Sequence, residues 1–209
     1  MVSADKHGVA TSRDRAVAVI QAEHRALGTV VAALQRLLSD VRQGLVEPDC
    51  RLLAAMLYYI ESFPERLHHP KEDQYLFKAL RARTREGSAV LDELQSEHIR
   101  SAQMMAYLAQ TLVRYQGGAP DGLHSFAAAV DAYAALLSDH MRKEETVVLP
   151  VADAHLKESD WAEIAAAFAE NRDPLFGEDA DQEMRRLRRR IASLVPRKLQ
   201  SLLRPEGAE

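Results

Sequence analysis

In three long stretches of this chain apolar residues recur at alternating three- and four-residue steps, and in each a histidine interrupts the stripe where it should face a core. The first runs Val17, Ile20, His24, Leu27, Val31, Leu34, Leu38, Val41. Another runs Leu91, Leu94, His98, Ser101, Met105, Leu108, Leu112, Tyr115. The last runs Phe126, Val130, Tyr133, Leu137, His140, Glu144, Val147. Such steps mark one face of an α-helix. The chain must therefore bury long amphipathic helices against one another with polar groups inside.

Alternations of β-branched or aromatic residues are few, and Ala, Leu, Arg and Glu abound, so the text is helical almost throughout. Breaks at 44–48, 85–88, 117–122 and Pro150 leave four segments, 12–43, 49–83, 88–116 and 122–148. Short links between long helices make neighbours antiparallel. The expected fold is all-α: an up-down-up-down four-helix bundle over residues 12–150, with a C-terminal helical extension over 151–209. The second segment is less regular, because Pro64 and Pro70 each remove a helical N–H and bias the preceding residue away from helical angles. Beyond Pro150, Ser159-Asp160-Trp161 with Glu163 opens a short helix with an acidic first turn, expected to run to about Glu170 and to stop at Asp173-Pro174. From Met184 to Arg204 there are eight basic residues and no acidic ones, a basic amphipathic tail with Leu187, Ile191, Leu194 and Val195 on its apolar side.

The four segments fall into two similar halves. Glu23-His24-Arg25 in the first answers Glu97-His98-Ile99-Arg100 in the third. His68-His69-Pro70-Lys71-Glu72-Asp73 in the second answers His140-Met141-Arg142-Lys143-Glu144-Glu145 in the fourth. The lone histidine precedes the paired one by 44 residues in one half (68 − 24) and by 42 in the other (140 − 98). Residues i and i+4 share a helix face, so His68 with Glu72, and His140 with Glu144, can ligate one metal ion or two neighbouring ones. A carboxylate can bridge two cations and an imidazole cannot. A mixed set of histidines and carboxylates suits iron, manganese or zinc rather than calcium or magnesium. Buried carboxylates cost several kcal/mol unless paired or metal-bound, and no basic residue recurs on these stripes.

The candidate metal ligands are therefore His24, His68, Glu72, His98, His140 and Glu144. With a bridging oxide or hydroxide they leave about two positions open on a pair of six-coordinate irons, and a site with open positions binds or reacts. His69 with Asp73 is the rival pair in the second segment, turned about 100° around the helix and without a counterpart at Met141, so the repeat favours His68. Glu61 and Glu65 share the stripe of His68 and are read either as auxiliary groups of the site or as a solvated helix edge. Tyr133, two turns before His140, is read as core, with reach to an open metal position or a hydrogen bond as the alternative. Glu23 and Glu97 cannot share the face of the histidines they precede; a surface place is expected, with anchoring of an adjacent helix as the alternative. His7, His124 and His155 stand in no motif and are expected to be exposed.

At these residues the chain resembles the hemerythrin-like family, the bacterial HHE cation-binding domains. The matching text is Glu23-His24, His68-His69-Pro70-Lys71-Glu72-Asp73, Glu97-His98 and His140 to Glu145; Asp160-Trp161-Ala162-Glu163-Ile164 to Asp173-Pro174-Leu175 looks like the segment that follows the bundle in many of these proteins. The likeness covers about residues 12–176. It implies a four-helix bundle holding two non-haem iron ions, oxo- or hydroxo-bridged, with zinc or manganese as substitutes. Members of the family carry oxygen, or serve nitric-oxide defence or iron handling. The oxygen carriers use five histidines and two carboxylates, with two histidines four residues apart on the third helix. Here Ala102 stands four residues after His98, so the resemblance implies a more open, reactive or sensing site rather than a reversible carrier. Members tied to iron–sulfur repair carry an extra cysteine-bearing region before the bundle, and this chain is expected to lack that role.

The single cysteine, Cys50, excludes a disulfide framework, a zinc knuckle and an iron–sulfur cluster within one chain, and points to a reducing cytoplasm. The net charge of −4 does not suit binding of nucleic acid or of an anionic membrane by the whole chain. No apolar run of membrane-spanning length and no secretory leader is read. The expected function is that of a cytoplasmic protein whose di-iron site takes O2, NO or peroxide, for sensing or for protection against oxidative or nitrosative stress. Two alternatives stand beside it: a di-iron oxidoreductase acting on peroxide or NO, and a metal-dependent regulatory protein whose basic tail engages a protein partner.

Overall fold

The computed structural model describes residues 10–170 and 182–194, and among them every regular element is a helix. Helix α1 spans Ser12–Arg42. Its start is fixed by a reciprocal cap: the Asp14 N–H donates to Thr11 Oγ1, and the Thr11 N–H donates to the Asp14 carboxylate. After the turn at Gly44, Asp49 opens α2 (Cys50–Ile60) by accepting from the N–H groups of Arg51 and Leu52. The chain stays helical through a widened π-helical stretch, π1 (Glu61–His68), a single α-turn, α3 (His69–Lys71), a second widening, π2 (Glu72–Phe77), and α4 (Lys78–Arg83). Helix α5 (Ser88–Gln116) follows the left-handed Gly87. Then come α6 (Gly122–Lys143), π3 (Glu144–Val148) and α7 (Leu149–His155). Helices α8 (Glu158–Ala169) and α9 (Gln182–Leu194) complete the described chain.

The widenings follow from the prolines. Pro64 and Pro70 have no N–H to give to the preceding turn, and the ladder slips to a longer span: the His69 N–H reaches back five residues to the Pro64 carbonyl. The same slip occurs where the Leu149 N–H bonds the Glu144 carbonyl, one residue before Pro150. This corrects one expectation. The fourth helical rod does not end at Pro150 but runs on to His155, because the proline sits in the first turn after the slip, where a missing donor costs little.

Helix α1 packs along α8, α6 and α2; α5 packs along α6, α2 and π1; α4 meets α7. The buried apolar residues form two clusters. One holds Ile20, Leu76, Leu94, Val148 and Phe168, the other Leu27, Phe63, Met105 and Leu137. Every rod passes from one cluster to the other, and each crosses between them at its histidines, so a polar layer lies between two apolar cores. The expected helix after Pro150 is α8. The tail forms α9, whose Leu187 and Ile191 are buried against the second cluster while Arg185, Arg186 and Arg189 stay exposed. The readings for His7, Asp173-Pro174 and Val195, and for the side chain of Leu194, lie outside the described residues.

Contrary to the expectation from apolar runs, α1 contains an 18-residue window apolar and long enough to cross a membrane by length and composition. Over half of that window is buried inside the protein, and α1 carries Glu23 and His24, so its apolar face is accounted for by core packing.

Candidate metal centre

All six residues singled out in the sequence come together in the polar layer, and each is at most 7% exposed. They form two poles. His24 Nε2 and His68 Nε2 lie at one, His98 Nε2 and His140 Nε2, 3.2 Å apart, at the other. The carboxylates straddle them. Glu72 places Oε1 3.0 Å from His68 Nε2 and 3.8 Å from His24 Nε2, and turns Oε2 to His98 Nε2 at 3.5 Å. Glu144 places Oε1 3.3 Å from His140 Nε2 and Oε2 3.2 Å from His24 Nε2. Of these six, each half of the chain supplies two imidazoles to one pole and sends a carboxylate oxygen to the other.

His69 is the residue that sequence reasoning set aside. It is 4% exposed and joins Glu72, His98 and His140 in one group that could hold a metal ion, while His24, His68, Glu72 and Glu144 form the other. Its ring stacks on His98 with centroids 4.4 Å apart. The choice between His68 and His69 assumed the strict 100° step of an α-helix; between π1 and π2 that step does not hold, and both rings face the interior.

The outward nitrogens are as ordered as the inward ones. His68 Nδ1 lies 2.6 Å from Glu23 Oε2, His24 Nδ1 2.9 Å from Glu145 Oε1, His140 Nδ1 3.0 Å from Glu97 Oε2 and His98 Nδ1 3.2 Å from Asp73 Oδ2. An ionised carboxylate only accepts, so these four rings carry a proton on Nδ1 and aim Nε2 inward. Glu23 is buried and Glu97 nearly so, which corrects the expected surface place and bears out the anchoring alternative. The signal was in the repeat: an acid directly before each lone histidine and directly after each paired glutamate. His69 differs, with Nδ1 3.6 Å from Glu65 Oε2, beyond hydrogen-bond range. The other oxygen of Glu65 accepts from the Ser101 and Tyr133 hydroxyls. Glu65 therefore belongs to the site and Tyr133 to its hydrogen bonding, whereas Glu61 is exposed and pairs with Arg66. His124 is exposed; His155 is partly buried and bonds Glu86.

The electrostatics call for cations. Burial opposes a charge on His68, but Glu72 and Glu23 overcome it and push the ring up to about 9. Burial likewise opposes a charge on His98, and Asp73 and Glu72 push it up to about 10. His24 and His140 are raised for the same reason, by Glu144 above all. Burial alone would raise Glu72 and Glu144, yet the facing imidazoles hold both low. His69 is lowered, burial winning over the distant Glu65. Even so, both oxygens of Glu72, both of Glu144 and His24 Nε2 are buried without a hydrogen-bond partner. Each orphan costs about 1–3 kcal/mol, and all of them face the space between the poles. Imidazole nitrogens and carboxylate oxygens converging there fit one or two transition-metal ions.

The family model described as the hemerythrin HHE cation binding domain matches residues 15–152. No curated protein matches the chain.

Proposed function

The chain belongs to the family of hemerythrin HHE cation-binding domains, and from that premise we propose that it is a cytoplasmic non-haem di-iron protein that takes O2, NO or peroxide in oxidative or nitrosative stress. The observation that carries the reading is that Glu72 and Glu144 each present one oxygen to each pole, as bridging carboxylates must. In this reading residues 12–150 form an up-down-up-down four-helix bundle that carries the site, and 151–209 an extension. His24 and His68 serve one ion, His69, His98 and His140 the other, with zinc or manganese as substitutes. Two bound irons would supply a redox-active Lewis-acid pair.

Five imidazoles, two bridging carboxylates and one bridging oxide or hydroxide leave about one position open on two six-coordinate irons. The fifth histidine that the third helix lacks is thus replaced from the second. If iron is bound, the open position would fall at the pole with two imidazoles, His24 and His68. There the Phe168 ring stands edge-on to His68 at 5.8 Å, and Lys71 Nζ holds the Ala167 carbonyl at 2.6 Å. The buried Phe168 ring thus covers His68 on its α8 side. Metal content per chain on anaerobically iron-loaded protein, with the visible spectrum after oxygen is admitted, tests the reading. Two irons with oxo-to-iron charge-transfer bands are expected. Less than one metal, and no more than a His68→Ala, His140→Ala double variant holds, would overturn it.

A second reading, a regulatory contact with an acidic protein partner, is favoured by the exposed arginines of α9. Removing the tail would uncover the core under Leu187 and Ile191, so the cleaner test is Arg185→Glu with Arg189→Glu. That pair should abolish co-purification of the partner and leave metal content unchanged.

A further inference from the structure

The acids behind the histidines form a closed circuit. Glu23 on α1 holds His68 at the end of π1; Asp73 on π2 holds His98 on α5; Glu97 on α5 holds His140 on α6; Glu145 on π3 holds His24 on α1. Each rod orients the histidine of the next, and the last orients the first. Taking the metal-pair reading as its basis, we propose that these four carboxylates are positioning residues that set the reduction potential of the pair, holding it in the higher oxidation state.

The physical argument is local. A carboxylate on Nδ1–H makes the imidazole a stronger donor through Nε2, and a strong anionic donor field stabilises the more highly charged metal ion more than the less charged one. Four of the five rings have such a partner within hydrogen-bond range. The fifth, His69, does not, since Glu65 stands off at 3.6 Å and spends its other oxygen on Ser101 and Tyr133. The circuit also has a counterweight. Lys143 Nζ lies 2.5 Å from Glu97 Oε1, whose other oxygen is the one on His140. Lys143 therefore withdraws charge from one link of the ring, and the chain contains both a group that lowers the potential and a group that raises it.

The test is the reduction potential of the iron-loaded protein, measured by spectroelectrochemistry alongside iron content. Glu97→Gln should shift the potential up and weaken retention of ferric relative to ferrous iron by about 10- to 100-fold. Lys143→Met should shift it down. Opposite signs at two touching residues are what general damage to the site would not produce. Glu145→Gln, at a side chain 40% exposed and so little needed for packing, should shift it up as well, and decides the matter if Glu97→Gln fails to fold. Unchanged potentials, or shifts of one sign in Glu145→Gln and Lys143→Met, would overturn the proposal. A wild-type chain that takes up no iron pair would instead overturn the reading on which it rests.

Discussion

The two halves of the molecule carry the same text and do not make the same structure. Each supplies a lone histidine, a His-x-x-x-Glu pair and two outer acids, and each pair of outer acids makes the same contacts, one within its half and one across. The halves differ most around the pair: in the first, Pro64 and π1 precede it and Pro70 lies inside it, while in the second the regular α6 leads to it. In the first half, two adjacent residues turn inward; in the second, His140 does so and Met141 packs near Gly28 on α1. A local change of helical pitch thus turns a symmetric set of four imidazoles into an unequal set of two and three. What the comparison teaches is that the carboxylates express the symmetry of the site and the prolines its asymmetry.

The largest effects should come from the symmetric part. Glu72 and Glu144 each serve both poles, so Glu72→Gln or Glu144→Gln should take iron content from about two to below one per chain. His24→Ala, which touches one pole, should leave about one. Elemental analysis separates the cases, and a Glu72→Gln chain that still held one full ion would show that the poles do not share it.

Next comes the asymmetry itself. His69→Met makes the first half read like the second at this position. It should leave both irons bound and raise the stoichiometry of azide, read from its charge-transfer band, from one per chain to two. The reverse change, Met141→His, should leave it at one, because no widened turn precedes residue 141 to swing the new ring inward. If Met141→His abolished azide binding, helical pitch would not be what selects the fifth ligand.

This is also where the legibility of the sequence ended. The helical segments, the polar layer and the six residues at the poles followed from period and repeat, since burial and the i,i+4 rule act through spacing alone. His69 did not, because spacing arguments assume a constant pitch and Pro64 and Pro70 changed it. Pro150 was misread for the same cause. Glu23 and Glu97 were set at the surface because a residue next to a core position faces away from its own helix's partner; it can still face another helix, which only the packing reveals.

A smaller effect is the proton cost of loading the site. In the metal-free chain His68 and His98 are raised from about 6.5 to about 9 and about 10, so at pH 7 both hold protons that a metal must displace. Apparent affinity for the metal should climb with pH and level off above about 10. Titration calorimetry in buffers of different ionisation enthalpy should show more proton release at pH 7 than at pH 10. The sign for folding runs the other way. A raised imidazole stabilises the metal-free fold fully below about pH 6.5, and that contribution is lost as pH rises through 9 to 10. Metal-free protein should therefore melt lower at pH 10 than at pH 7, and loaded protein should not.

The smallest difference between the halves lies in the turns that join their rods. In the first, Gly44 has a left-handed φ of 68° and nothing within 4 Å of a would-be Cβ. Alanine there meets only backbone strain, about 1 kcal/mol. In the second, a Cβ on Gly122 would lie 2.7 Å from the Tyr115 Cα, and backbone cannot step aside as a flexible side chain can. Gly122→Ala must push the start of α6 off the end of α5, where the Tyr115 ring stacks on Phe126, at a cost of about 1–3 kcal/mol. Thermal melts of the metal-free protein should rank Gly122→Ala below Gly44→Ala, with both still taking up two irons, since the polar layer lies several turns away. Equal melting temperatures would mean that the second turn is as loose as the first, and that α5 and α6 are held together by their apolar stripes rather than by the link between them.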